Sequence, residues 1–157
     1  MKLILEQIKN LCGFNPIGDL NNICAFLKDE IPNLNWVGFY FYQDGALLVG
    51  PFSGKVACPL IKIGSGVCGT AFSKKEVLNV LDVHQFSGHI ACDSASNSEL
   101  VLPIFYQDEI IGVFDIDSIV YNNFNSEIVA LFKDILNIIM QKIDFKKLEN
   151  IMFDWRN

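Results

Sequence analysis

The chain has 157 residues, 51% of them hydrophobic. That length favours one domain with a core that buries most of its unfolded surface. Twelve Lys and Arg against 18 Asp and Glu give a net charge of -6, with the bases scattered, which argues against a nucleic-acid partner. No apolar run reaches membrane-spanning length, MKLILEQIKN lacks a signal-peptide pattern, and five cysteines do not suit a secreted disulfide framework; a reduced, cytoplasmic chain is expected.

Leu3 to Leu11 reads as a short amphipathic helix with Ile4, Ile8 and Leu11 on one face. Pro16 restarts a helix whose stripe is Leu20, Ile23, Cys24, Leu27 and Ile31, and Pro32 ends it. Cys24 lies on that stripe and Cys12 beside it, so both are expected to pack as small hydrophobes. From Trp36 to Tyr42 the period becomes two. Val37, Phe39 and Phe41 form a core face, while Trp36, Gly38, Tyr40 and Tyr42 form an aromatic face, either the floor under a ligand or a second packed surface. Asp44-Gly45 marks a hairpin turn into Ala46 to Pro51. Cys58 to Ile63 is a third strand, placed at an edge by Pro59.

Gly64 to Gly69 spells the dinucleotide fingerprint, with Asp82 at a suitable distance, but the context fails. Only Thr70 to Lys75 remains for a crossover helix before strand-like character returns at Val77 to Leu81. The glycines instead make a tight turn into one short helix. Cys68 then sits near a helix N-terminus, where the local potential favours a thiolate.

Leu81 to Glu99 has no helical or strand period and holds both histidines, His84 and His89, with Cys92, two aspartates and four serines. Long aperiodic loops in compact domains are usually functional, and this one carries reactive side chains. Next, Leu100 to Tyr106 and Glu109 to Asp117 form a hairpin around Gln107-Asp108. Asp115 and Asp117 share one face, opposite Phe114 and Ile116. A plain two-residue turn would set Glu99 against Ile116, on the core side. A three-residue loop, or a bulge near Pro103, would set it opposite Asp117, and one of these is expected.

Asn125 or Ser126 caps a last helix running to about Leu148. Its wide apolar surface calls for cover on two sides, by the sheet and by the N-terminal helices or a second subunit, so a homodimer through helices is one option. The order of elements implies a single α+β domain over residues 1–157. Its central antiparallel sheet carries helices on one face, and a loop-covered pocket lies on the other.

The strings NWVGFY (Asn35 to Tyr40), GPFSGKVAC (Gly50 to Cys58), GSGVCGTA (Gly64 to Ala71), DVHQFSGHIACDSASNSE (Asp82 to Glu99) and GVFDIDS (Gly112 to Ser118) resemble the free methionine-(R)-sulfoxide reductases, small GAF-domain enzymes. The resemblance runs from about Asn35 to the last helix, and HIACDSAS with three cysteines at these spacings is its most specific part. It implies that Cys92 is the nucleophile, Cys58 the resolving thiol, and Cys68 a third active-site cysteine. Trp36 and Tyr40 would enclose the substrate methyl and thioether. Glu99, Asp115 and Asp117 would hold the ammonium group and polarise the sulfoxide. Thioredoxin would be the reductant, and no cofactor or metal is implied.

The chemistry suits those types. A thiolate attacks sulfoxide sulfur, so Cys92 must be partly ionised, with His84 or His89 near enough in sequence to help. The departing oxygen needs a proton, and clustered carboxylates raise one another's pKa enough to keep one neutral. Backbone N–H groups of Asp93, Ser94, Ala95 and Ser96 form an anion nest for the substrate carboxylate. Rival readings are a ligand-binding or redox-sensing GAF module without catalysis, and zinc held by His84, His89, Cys92 and Cys58 or Cys68. The H-x4-H-x2-C spacing matches no common structural zinc pattern.

Overall fold

In a computed structural model, residues 1–90 and 92–153 are described. The first helix, α1 (Lys2–Asn10), buries Ile8. The second, α2 (Pro16–Glu30), starts with Asn15 accepting from the Ile17 and Gly18 N–H groups and with Pro16 in the first turn. Six strands follow: β1 (Leu34–Gln43), β2 (Ala46–Ser53), β3 (Leu60–Lys62), β4 (Leu78–Val80), β5 (Ser98–Tyr106) and β6 (Glu109–Ser118). They form one antiparallel sheet in the order β3-β2-β1-β6-β5-β4. A helix, α3 (Gly66–Lys74), joins β3 to β4, and a 3-10 turn (Val83–Gln85) opens the long loop to β5.

Two tight hairpins hold the sheet's centre. Asp44 and Gly45 both take positive φ, as do Gln107 and Asp108, the geometry that matches strand twist. The β5–β6 turn has two residues, with Tyr106 facing Glu109. The ladder then slips: Ile104 faces Gly112 while Phe105 faces Ile110, so Ile111 is an extra residue on β6. Of the two devices expected from the sequence, the bulge is the one used. Glu99 consequently faces Asp117.

The sheet separates two apolar clusters. One packs Val37, Phe39, Phe41, Leu102 and Phe114 against the helices. Its helical cover is layered: α2 lies on β1 and β2, and the fourth helix, α4 (Ser126–Lys142), lies on β5 with α1 outside it. The other cluster, on the opposite face, gathers Trp36, Tyr40, Cys68 and Val113 beneath α3. The aromatic face is a packed surface, and Trp36 and Tyr40 also line a cavity.

The last helix departs from expectation. It is not continuous to Leu148 but breaks at Ile143, whose ψ of 132° is extended. Asp144 caps a new helix, α5 (Phe145–Phe153), by accepting from the Lys147 N–H at 2.9 Å. The break lets Phe145 and Leu148 turn into the core, where both are buried, and brings α5 against α2. Cys24 and Cys12 behave as packed side chains. Burial raises the Cys24 thiol strongly and lifts Cys12 to about 11. Among the described residues, no helix is long and apolar enough to cross a membrane.

Candidate active site

A small cavity of about 40 Å³ opens on the sheet face opposite the terminal helices. That is room for a few waters. Alternation along β1 aims Trp36 and Tyr40 into it, and alternation along β6 aims Asp115 and Asp117. Glu99 joins from β5 because of the Ile111 bulge. Cys68 enters from the first turn of α3, and Cys92, Asp93 and Ser96 enter from the long loop. Over the mouth, the exposed Cys92 is bonded to the half-buried Cys58, with Cα atoms 5.7 Å apart. The zinc set with His84 and Cys92 is thus not assembled: Cys92 is bonded to Cys58, and the exposed His84 ring lies 2.9 Å from Asp82 Oδ1.

The aromatic wall is rigid. Trp36 stacks on Tyr40 at 5.8 Å and on Phe52 at 5.2 Å. Trp36 Nε1 donates to the Lys55 carbonyl, and the Tyr40 hydroxyl donates to the Cys58 carbonyl at 3.0 Å. Tyr40 thus fixes the backbone that carries one half of the bridge. Gly38 has no side chain because a Cβ there would enter the Trp36 ring.

The floor is acidic. Glu99 and Asp115 are each 6% exposed. Burial pushes both carboxyls well above the usual range, helped at Glu99 by Asp117 and at Asp115 by Glu99. Asp117 is raised by burial, then by Asp115 and Asp93. His89 Nε2 lies 3.7 Å from Glu99 Oε2, yet burial lowers the histidine. Burial, not the neighbouring carboxyl, sets the direction at this histidine. Asp115 Oδ1 is buried with no hydrogen-bond partner among the described residues.

Cys68 corrects the sequence reading. It does sit in the first turn of α3, but its surroundings there disfavour the thiolate. Its Sγ lies 3.8 Å from Glu99 Oε1, and burial, then Asp115 and Glu99, raise the thiol well above its ordinary value. Desolvation and adjacent acids outweigh the helix end.

The anion nest is also not free as expected. Asp93 Oδ1 accepts from the Ala95 N–H at 2.9 Å, and the Asp93 carbonyl accepts from Ser96 N–H at 3.2 Å. Two of the four donors are therefore engaged, and Ser94 and Ala95 do not line the cavity. The Ala95 N–H bond, with Asn35 and Lys55 assisting, keeps the Asp93 carboxyl low. Asn35 Nδ2 donates to Asp93 Oδ2 at 3.0 Å and to Ser96 Oγ at 2.9 Å, pinning the loop to β1.

Comparison with known proteins decides the family. The GAF domain profile matches residues 3–143. The chain is 45% identical over 134 residues to the free methionine-R-sulfoxide reductase of Escherichia coli K12, covering 83% of this chain and 81% of that one. It belongs to the GAF-domain free methionine-R-sulfoxide reductases. The Saccharomyces cerevisiae free methionine-R-sulfoxide reductase is 43% identical over 144 residues, 89% of this chain and 79% of that one. Among solved structures, the Staphylococcus aureus fRMsr in complex with substrate superposes with a TM-score of 0.84 at 43% identity, covering 90% and 94% of the two chains. The Neisseria meningitidis free methionine-R-sulfoxide reductase in complex with its substrate gives 0.87 at 32% identity, covering 94% and 90%.

One residue of this reductase's site, Asn35, had no role in the sequence reading, and another, His89, had a different one. Asn35 precedes an alternating strand and reads as strand entry, although an amide beside an aromatic run was a signal available to find it. His89 was read as an aid to Cys92, but its nearest charged neighbour is Glu99.

Proposed function

We propose that the chain reduces free L-methionine-(R)-sulfoxide to L-methionine, with thioredoxin returning the enzyme to its thiol form. The observation that carries this reading is the Cys58–Cys92 bridge, whose Cys92 lines a cavity floored by three clustered acids that burial shifts toward the protonated form.

Cys92, exposed at the mouth, attacks the sulfoxide sulfur as a thiolate. A protonated carboxyl from the Glu99, Asp115 and Asp117 group gives its proton to the sulfoxide oxygen. A sulfur–sulfur bond forms as the sulfur–oxygen bond breaks, and the oxygen leaves as water after taking a second proton. Water then attacks Cys92 Sγ, methionine leaves with the electron pair of the sulfur–sulfur bond, a proton is released, and Cys92 is left as a sulfenic acid. The Cys58 thiol condenses with it, releasing water and forming the bridge. A dithiol then reduces the bridge by exchange, becoming a disulfide itself. Trp36 and Tyr40 flank the methyl and thioether. The unpartnered Asp115 Oδ1 suits the substrate ammonium, whose binding supplies the missing hydrogen bond. The loop at Asp93 to Ser96 receives the carboxylate end once its internal bonds rearrange.

Recognition of both charged ends supports restriction to the free amino acid, because a peptide-bound residue has neither charge. The test offers the (R) sulfoxide, the (S) epimer and a peptide sulfoxide, with thioredoxin recycling. Consumption of the first alone supports the reading. Release of methionine by the Cys92→Ser protein overturns it.

A further inference from the structure

The cavity floor holds donors that a bound amino acid uses only in part. Cys68 Sγ, a Glu99 carboxylate oxygen and an Asp115 carboxylate oxygen all lie within 4.8 Å of one another. His89 Nε2 stands 3.7 Å from Glu99 Oε2, on the cavity wall. Asp115 is 6% exposed, and its Oδ1 has no hydrogen-bond partner among the described residues. Among the described residues no Lys or Arg forms an ion pair with Glu99 or Asp115. The unpartnered oxygen thus stands among converging donor atoms with no basic side chain against it. An ammonium group satisfies the oxygens but gains little from a thiol sulfur.

We propose that this floor is also a zinc site, with Cys68, Glu99 and Asp115 as ligands and His89 Nε2 completing the set. Zinc takes sulfur at about 2.3 Å and nitrogen or oxygen at about 2.0–2.2 Å, so a tetrahedral set has ligand atoms about 3.3–3.8 Å apart. Cys68, Glu99 and Asp115 stand slightly wider than that, a difference side-chain rotation closes, while His89 Nε2, 3.7 Å from Glu99 Oε2, lies outside that group and must swing inward to bind. The mixed donor set selects the metal. Magnesium and calcium demand oxygen ligands, whereas a thiolate with carboxylates and imidazole suits zinc. Binding exchanges the protons of Cys68 and the two carboxyls for the ion. The ion occupies the place assigned above to the substrate ammonium, so the two exclude one another. That exclusion rests on the proposed substrate reading; metal binding itself does not.

Cobalt(II) is the probe, because a thiolate ligand gives it a near-ultraviolet charge-transfer band. The chain carrying both Cys58→Ser and Cys92→Ser keeps the mouth open and removes the other cavity thiols. It should bind one cobalt per chain with that band, and zinc should bleach it. Adding Cys68→Ser should abolish the band, and adding Asp115→Asn, a near-isosteric change, should weaken binding at least about tenfold. Circular dichroism confirms that each variant is folded. Absence of the band, or its survival in the Cys68→Ser chain, overturns the site. Displacement of cobalt by free methionine-(R)-sulfoxide supports the exclusion. Retention of cobalt at saturating sulfoxide overturns the exclusion and the ammonium assignment, while the metal site stands.

Discussion

Glu99 faces Asp117 across the β5–β6 ladder, and a single extra residue, Ile111, is what puts them on the same side. Without that bulge the tight turn at Gln107 and Asp108 would send Glu99 into the helix-covered core. The cost of bringing the acids together appears as a pH dependence. Ordinary carboxyls release their protons near pH 4, and the folded chain holds those of Glu99 and Asp115 to higher pH. The unfolded chain therefore binds fewer protons in that window, and stability falls as pH rises from about 4 through neutrality. Glu99→Gln and Asp115→Asn remove the effect. Each variant should melt with its parent near pH 4 and increasingly above it toward pH 8. Equal melting temperatures at pH 8 would show that the acids are not held neutral.

Replacement of the thiols should separate three behaviours. Cys92→Ser should release no methionine. Cys58→Ser should complete one turnover and then stall against thioredoxin, leaving a sulfenic acid that a dimedone-type reagent traps. Cys68→Ser should still form and reduce the Cys58–Cys92 bridge, because Cys68 lies on the floor and not at the mouth. Mass spectrometry of the oxidised variants distinguishes them.

Gly38→Ala should cost stability and substrate affinity together. The added Cβ would meet the Trp36 ring and lie 2.5 Å from Phe52 Cβ, so the stacked wall must move. Overpacking of this kind costs about 1–3 kcal/mol. Urea unfolding should give a loss in that range, with a raised KM.

Asn35→Ala should raise KM by about tenfold, the equivalent of ~1.4 kcal/mol, while leaving the bridge able to form. The amide ties Asp93 and Ser96 to β1 through two hydrogen bonds, and a loop released from them orders only on binding. An unchanged KM would show that the loop is held elsewhere.

Asp19→Ala tests a feature remote from the chemistry. This buried carboxylate accepts from the N–H groups of Gly13, Phe14 and Asn15 at 2.8–3.1 Å, holding the turn between α1 and α2. Loss of about 2–4 kcal/mol is expected, with sulfoxide reduction unchanged at temperatures where the chain stays folded.

Much of this was legible in the residues. Two-residue periods placed the core and aromatic faces of β1 correctly, and Pro59 marked an edge strand. What escaped depended on surroundings. The Cys68 position was readable as a helix start, but its ionisation is decided by Asp115 and Glu99, distant in sequence and adjacent in space. The break at Ile143 hid because the apolar stripe continues through it. Asp144 was a cap signal overridden by periodicity. The three N–H bonds to Asp19 also lie outside any side-chain pattern, since their donors are backbone.

The Cys58–Cys92 bridge takes up the cavity-lining thiol that the proposed mechanism needs as its nucleophile. On that mechanism an oxidised copy has no thiolate to offer a sulfoxide, and a reduced copy offers the dithiol nothing to exchange with. The two reactants then take strict turns. Initial rates measured at several reductant levels should trace parallel double-reciprocal lines, and any shortage of dithiol leaves copies waiting idle, immune to further sulfoxide.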